Sequence, residues 1–459
     1  MVDQVRSQKT FQTLRRFVVM TLPLNQTLLH HRAWSRRLTC CMAMLLMTAC
    51  ASYTDETQTI RIDYRDGSYQ QAIAKIDKSS LTEDKNKLLY NLEKAMILDR
   101  MGDVAKARTL LINADKIADD LYTTSISRTA TSFVVSDAST DYSGEDYEKV
   151  AIHTELALSY IASGDLEAAR VEARKINSKL AQINAAYEDH KDRYAEDAFA
   201  RYLSGIIYEA RGEVDDAIID YNKALASYRG NFAQFVNGGV PDQLVKALYR
   251  LLAQRGRQDR MKELQRDFPR LVDAAKAELD DRDSGEVVVV HELGHIAIKT
   301  SESFAFTFGR QVVRFSFPVI RAQGRSYFGQ SGIITGSDDK LHQAENVEDL
   351  NAIAHATLED RRGRLVAKSA ARLIAKGQIA EQAYQNYGPL AGLAVNIFAV
   401  VTETADTRSW TLLPESFAIT RLRLKSGKHT IKIQSGGRRS KIETVTVKKG
   451  EVLILRDVG

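Results

Sequence analysis

Residues 202–228 read YLSGIIYEARGEVDDAIIDYNKALASY, and the spacing of the small and aromatic residues in this stretch decides the fold. Gly205 and Tyr208 fall on a first helix, Gly212 marks a turn, and Val214, Ala217, Tyr221 and Ala224 share one face of a second helix. Small residues at Gly205 and Ala217 let two antiparallel helices approach closely, while Tyr208 and Tyr221 fill the gap to the next pair. The stretch therefore predicts a helical hairpin that cannot bury its apolar face alone and needs like units stacked against it.

Like units are present. One surrounds Gly164, with Leu156, Ala157, Tyr160, Leu166 and Ala169; another surrounds Gly102, with Ala95, Leu98, Val104, Ala107, Leu111 and Ala114. Weaker versions stand at Gly67 (Tyr69, Ala72, Ile76) and Gly256, as terminal repeats usually are. The offsets resemble the tetratricopeptide repeat. Successive turn glycines lie 35, 62, 48 and 44 residues apart, so an insertion interrupts the array. The Ser-, Thr- and Asp-rich stretch from Thr123 to Glu145 supplies it. Residues 59–282 are expected to form an all-α tetratricopeptide-like solenoid.

The pattern changes after Asp283-Ser284-Gly285. Val287 to Val290, Phe304 to Phe308 and Val312 to Ile320 read as strands, the last interrupted by Pro318. Helix returns from Val347 to Gln385. The apolar run Leu390 to Val401 is shorter than the ~20 residues a bilayer requires and predicts a buried helix. Four more strands follow, Phe417–Leu424, Lys428–Gln434, Ile442–Val447 and Val452–Leu455, with turns at Ser426-Gly427, Gly436-Gly437 and Lys449-Gly450. The fold class is α+β: the solenoid, then a mixed domain over 283–459 with a β-sandwich-like sheet and a helical insert. Its early and late strands are expected to pack together around that insert.

The amino-terminal stretch is a targeting segment. Arg32, Arg36 and Arg37 precede the apolar run Leu38 to Ala49, which ends in Leu45-Leu46-Met47-Thr48-Ala49-Cys50-Ala51-Ser52. It resembles a bacterial lipobox, with Met47 where Leu is usual. The resemblance implies a diacylglycerol on the Cys50 sulfur, cleavage before Cys50 and a further acyl chain on the new amino terminus. Two or more chains anchor a protein stably. Ala51-Ser52, in place of an Asp after the cysteine, favours the outer membrane. Residues 1–49 are expected to be the leader, 1–19 a dispensable or mis-assigned start given Met20, and 50–58 a tether. The 459-residue chain carries 64 Lys and Arg against 59 Asp and Glu, a charge of +5. The leader holds seven of those bases and one acid, Asp3, so the 410-residue mature part stands at −1. That balance recommends no nucleic-acid partner. Cys40, Cys41 and Cys50 all lie in the leader or at its end, which excludes a disulfide framework.

Four stretches carry a wider resemblance: DYSGEDYEKVAIHTELALSYIASGDLEAARVEARKIN (141–177), GEVVVVHELG with Lys299 (285–299), VEDLNAIAHATLEDR (347–361) and ADTRSWTLLPESFAITRLRLKSGKH (405–429). They are similar to a family of bacterial outer-membrane lipoproteins with tetratricopeptide-like repeats. The resemblance implies fold, lipidation and location, and supplies no reaction.

His291-Glu292-Leu293-Gly294-His295 matches the zincin pattern, in which two histidines one helical turn apart hold zinc and the glutamate activates water. Four valines before it and Ile296-Ala297-Ile298 after it favour a strand, where the two histidines would stand ~13 Å apart. No third histidine follows at the metzincin spacing, and Glu302 lies among serines and phenylalanines. We read the segment as strand and turn, with no metal or cofactor. A membrane-tethered zinc metallopeptidase using His291, His295 and Glu292 is the alternative. Arg408 and Trp410, the only tryptophan of the mature part, mark a contact site or a structural corner. Arg361, Arg362, Arg364, Lys368 and Arg372 are expected to form a solvated helix face beside Glu359 and Asp360. The resulting expectation is a lipid-anchored adaptor on the periplasmic face of the outer membrane. It would hold a cell-envelope protein through its repeats and catalyse nothing; an accessory activator of peptidoglycan synthesis is a further alternative.

Overall fold

The computed structural model describes residues 53–458 apart from 128–136, 187–193, 195, 237–238, 282, 309–310, 322–330, 336–339, 402–403 and 437–438. Among these, five helical hairpins follow one another. They are α1 (Tyr53–Arg65) with α2 (Tyr69–Ile76), α3 (Lys87–Arg100) with α4 (Val104–Ser127), and α5 (Asp146–Ala162) with α6 (Leu166–Ala186). Then come α7 (Ala198–Ala210) with α8 (Val214–Arg229), and α9 (Asp242–Gln254) with α10 (Gln258–Asp267). Helix α11 (Pro269–Leu279) closes the array against α9 and α10.

The turns show why glycine stands where it does. Gly212 has φ +76°, and the amide of Glu213 reaches back to the Tyr208 carbonyl at 2.9 Å. This left-handed cap satisfies carbonyls that the end of α7 would otherwise leave open. Gly67, Gly102, Gly164 and Gly256 also have positive φ. Gly205 serves a different purpose: a Cβ there would lie 2.3 Å from the Tyr221 ring. Tyr221 thus fills the space inside its own hairpin, against Gly205, and not the gap to the next pair as its position in the sequence suggested. Tyr202 packs edge-on against it at 5.6 Å.

The remaining chain contributes β1 (Ser284–Leu293), β2 (Lys299–Phe308), β3 (Gln311–Ile320), β4 (Gly332–Thr335), β5 (Leu341–Gln343) and β6 (Glu345–Asp349). Helices α12 (Leu350–Tyr387) and α13 (Pro389–Val401) follow, then β7 (Ser416–Lys425), β8 (Gly427–Ser435), β9 (Arg439–Val447) and β10 (Val452–Val458). One sheet has the order β10-β1-β7-β6, with β1 parallel to β10 and antiparallel to β7. A second has the order β5-β4-β8-β9, and β2 and β3 form a separate hairpin. The early strand β1 therefore lies between two late ones. Val288 and Val290 join the large core shared with the helices, whereas Val287 and Val289 join Ile333, Ile431, Ile433, Val445 and Val447 in a smaller core between the sheets. Both faces of β1 are covered, which is why its valines run without polar alternation. Tyr53–Gly459 closes as one compact unit.

Four further expectations are corrected. The 50–58 tether is helical from Tyr53 onward. The expected insert Thr123–Glu145 starts late, because α4 continues to Ser127. The Leu390–Val401 run is helical but begins exposed: Leu390 is 81% and Leu393 55% accessible. Arg372, expected on a solvated face, is buried. Among the described residues no helix is long and apolar enough to cross a membrane.

Gly205→Ala is expected to destabilise the protein by about 1–3 kcal/mol through overpacking against Tyr221. Gly212→Ala meets open space and costs only the left-handed backbone, roughly 1–2 kcal/mol. Urea midpoints of the two variants check both values. A smaller added cost of Gly205→Ala, but not of Gly212→Ala, in a Tyr221→Leu background identifies the steric cause.

Candidate functional site

The first helix of each hairpin turns polar side chains toward the strands, so the inner side of the repeat array is occupied by the chain's own sheet. From α1, the Tyr53 hydroxyl donates to the Ser409 carbonyl and Arg61 to the Ile296 carbonyl, both at 2.7 Å. From α3, Glu93 accepts the amides of Thr411 and Leu412 at 2.6 and 3.1 Å, together with the Thr411 hydroxyl. Burial pushes the Glu93 carboxyl up to about 7 against these donors. From α5, Glu148 accepts the Trp410 amide at 2.7 Å and the Tyr142 hydroxyl at 2.6 Å. From α7, Phe199 stacks on Phe417 with centroids 4.5 Å apart.

Two buried ionic clusters complete this junction. In the first, Arg456 of β10 pairs with Glu292 of β1, with Asp99 of α3 and with Glu155 of α5, and Arg100 of α3 also holds Glu292. Burial opposes ionisation of Glu292, but Arg456 and Arg100 keep its carboxyl below the ordinary range. Burial, with Glu292 nearby, pushes Glu155 up to about 8. In the second, Arg421 of β7 pairs with Glu286 of β1 at 2.6 Å and with Glu209 of α7 at 2.7 Å, while Arg250 of α9 reaches Glu286 at 3.0 Å. Against its own burial, Glu286 is held down at about 2 by Arg250 and Arg421.

The zincin-like segment lies in this junction. His291 is wholly buried on β1, facing the second sheet: Nδ1 bonds Asp457 at 2.7 Å and Nε2 bonds the Thr420 hydroxyl at 3.0 Å. Glu292 points the other way, into the first cluster. His295 lies beyond β1 and meets the Tyr64 ring edge-on at 5.5 Å. Burial and the nearby Arg61 and Arg100 push it down to about 4, so it is neutral at pH 7. Glu292 and His295 border one small cavity, while His291 faces the opposite side of β1, so the three side chains do not come together. The cavity beside His295 and Glu292 is about 40 Å³, far below the ~300 Å³ at which ordinary ligand pockets begin.

Arg408 and Trp410 occupy a buried corner. Arg408 forms a two-point pair with Asp406 at 2.8 Å, donates to Asn86 and to the Thr140 carbonyl, and lies over the Tyr142 ring. Trp410 is fully enclosed. Beside this corner opens a cleft of about 230 Å³, lined by Tyr142, Glu145, Lys299, Phe317, Leu358, Arg361, Arg372 and Arg408, among others. Glu145, immediately before α5, binds both Lys299 and Arg361, and these cations hold it at about 2 although burial opposes them. Each of the four stretches quoted above contributes to this cleft, through 141–145, Lys299, Leu358 with Arg361, and 405–408. Sequence reasoning missed Glu145, which lay in the expected insert, and the junction residues Arg100, Glu286, Arg421 and Arg456. Charges alternating with apolar residues in otherwise buried strands were the available signal. Cys50 lies outside the described residues.

No protein-family model matches the chain, and no curated protein matches it. Solved structures with some likeness include the nearly identical TPR-like repeats of a kinesin light chain-like protein from Podosopora anserina, at 19% identity and TM-score 0.29 over 49% of this chain and 95% of that one. MamA AMB-1 shows 17% identity and TM-score 0.28 over 49% and 90% of the two chains. BtubC from P. vanneervenii shows 15% and 0.32 over 56% and 93%. At scores this low the fold is read from the chain's own helices and strands, which are tetratricopeptide-like hairpins joined to an α+β sheet region.

Glu292→Gln is expected to cost roughly 3–5 kcal/mol of stability, because it leaves Arg100 buried without its acid partner and removes one of the three acids around Arg456. A catalytic glutamate in an open site would tolerate the change, so denaturant unfolding separates the two roles. His295 supplies a pH test. Its folded pKa lies below the unfolded value near 6.5, so its contribution is complete above pH 6.5 and is lost as pH falls toward 4. Subtracting the stability profile of His295→Leu from that of the wild type should leave this acid-side loss; a flat difference refutes it.

Proposed function

We propose that the chain is a lipid-anchored scaffold of a bacterial cell envelope, without catalysis of its own, that holds a protein partner on the periplasmic face of the outer membrane. The observation that carries this reading is the filled inner side of the repeat array. Its sheet locks the hairpins in place, and the cleft beside Arg408 is the open concavity this rigid platform offers. The two sheets that share the Val287 and Val447 core are read as its β-sandwich-like support. Acyl chains on Cys50 supply the membrane partner. Only Ala51 and Ser52 lie between Cys50 and Tyr53, a reach of at most ~10 Å over three steps of the chain, so the platform would stand close to the bilayer. An accessory role in peptidoglycan synthesis is a narrower form of the same function, fixed by the identity of the partner.

Cys50→Ser should abolish acyl labelling and leave an uncleaved or released protein. Recovery of the variant as a mature outer-membrane species refutes the anchor. Photo-crosslinkers at the exposed cleft-rim positions Asp141 and Thr404 should capture one and the same envelope protein in cells, while a crosslinker at Ile219 on α8 should not. Capture that is indifferent to position refutes the cleft as the docking place.

A further inference from the structure

The β2–β3 hairpin packs along α12 and against α13, forming an arm beside the repeat and sheet body. Its root is fixed: the Thr54 hydroxyl donates to the Lys299 carbonyl at 3.2 Å, Lys299 pairs with Glu145, and Lys299 stands opposite Ile320 in the hairpin. Away from the root the arm exposes apolar surface that the repeats do not. Along α12, Val366, Ala367, Ala370, Ala371 and Ile374 are exposed and follow one helical face at spacings of three and four. Ile374 is 64% accessible, and at the α12–α13 corner Tyr387 and Leu390 reach 79% and 81%. On the helical hairpins exposed large apolar residues occur singly, at Ile62, Ile112, Val171 and Ile219.

The same helix carries exposed positive charge. From Arg361 to Lys376 it has six Lys or Arg and no acid. Arg372 and Lys376 are buried and Arg361 is engaged with Glu145 and Asp146, while Arg362, paired with Glu359 one turn back, and Arg364 are exposed beside the apolar face. An uncovered apolar face edged by the guanidinium groups of Arg362 and Arg364 fits a surface that is anionic at its edge and apolar beneath, which is the chemistry of a phospholipid headgroup layer. Two copies paired symmetrically across this face would set the basic block against itself, which disfavours a dimer contact.

We propose that the arm is a second membrane contact, in which the Val366–Ile374 face of α12 and the Tyr387–Leu393 corner rest on an anionic lipid surface. The choice of bilayer rests on the envelope reading above, but the contact itself needs no acyl chain. The test uses the unacylated unit Tyr53–Gly459, which encloses its own core. Sedimentation with phosphatidylcholine vesicles, with and without phosphatidylglycerol, reads binding directly. The protein should bind only the anionic vesicles, more weakly as salt rises. The double variant Arg362→Gln/Arg364→Gln should lose affinity roughly tenfold or more, and Leu390→Asp/Leu393→Asp should weaken binding independently. All four positions are exposed, so unchanged thermal unfolding confirms that the variants fold. Equal binding to neutral vesicles, or none to anionic ones, overturns the proposal. So does a dimer in solution that Ile374→Asp dissociates, which would assign the face to a second copy. Because the assay contains no acyl chain, its failure leaves the Cys50 anchor standing, and failure of Cys50 acylation leaves the vesicle result standing.

Discussion

Arg456 sits where the helices meet the sheet and ties neighbouring hairpins to it. Its guanidinium joins Glu292 on its own sheet to Asp99 on α3 and Glu155 on α5, so one side chain spans two successive hairpins. Arg421 repeats the device farther along the same sheet, gathering Glu286, Glu209 and the Tyr221 hydroxyl. Burying such groups is expensive, and replacement by apolar residues of equal volume could leave stability unchanged. What the ions add is position. A stack of hairpins held by apolar contact alone can slide and curl, because such contact is non-directional. Two guanidinium groups with fixed acid partners tie the hairpins of α3, α5 and α7 to defined places on the sheet.

Register explains how the strand delivers these charges. Glu286, Val288, Val290 and Glu292 share the helix-facing side of β1, with an acid at each end and valines between. Arg421 stands opposite Val288 and Arg456 beside Val290, so each arginine arrives from a neighbouring strand next to an acid of β1. On the other face His291 lies between Asp457 and Thr420 and faces the second sheet. The zincin-like spelling is thus divided by the two-residue period of the strand: Glu292 serves the helix junction, and His291 serves the junction between sheets. The same five letters on a helix would have brought the two histidines together.

The helical hairpins were legible because a 3.6-residue period and a left-handed glycine leave local marks that do not depend on tertiary context. Gly212 is required by its own φ, and Gly205 by the ring of Tyr221 on the adjacent helix. Strand β1 was legible from its valines. The junction was not, because charged residues in strands read as solvent-facing until their partners are known, and those partners lie far along the chain: Arg456 and Asp99 are 357 residues apart. Glu145 was hidden for a related reason. It follows a polar stretch that looked like an insert, yet the cations it holds are Lys299 and Arg361. Arg372 shows the same failure in reverse, since a basic run on a helix carries no local sign of which of its members is covered.

The first residues of α1 give the junction its bearing on location. Tyr53 is bonded to Ser409, and Thr54 to both Lys299 and Thr407. The start of the helix is therefore held against the segment that carries Arg408 and against the root of the β2–β3 hairpin. Whatever pulls on the chain just before Tyr53 pulls on that corner as well. On the proposed reading, a lipid on Cys50, three residues before Tyr53, would pull on the cleft and on the base of the arm. A long flexible tether would leave orientation to chance and let a partner dock from any side. On that same reading a short tether would convert an anchor into an orientation, and the half-buried contacts of Tyr53 and Thr54 would make the conversion rigid.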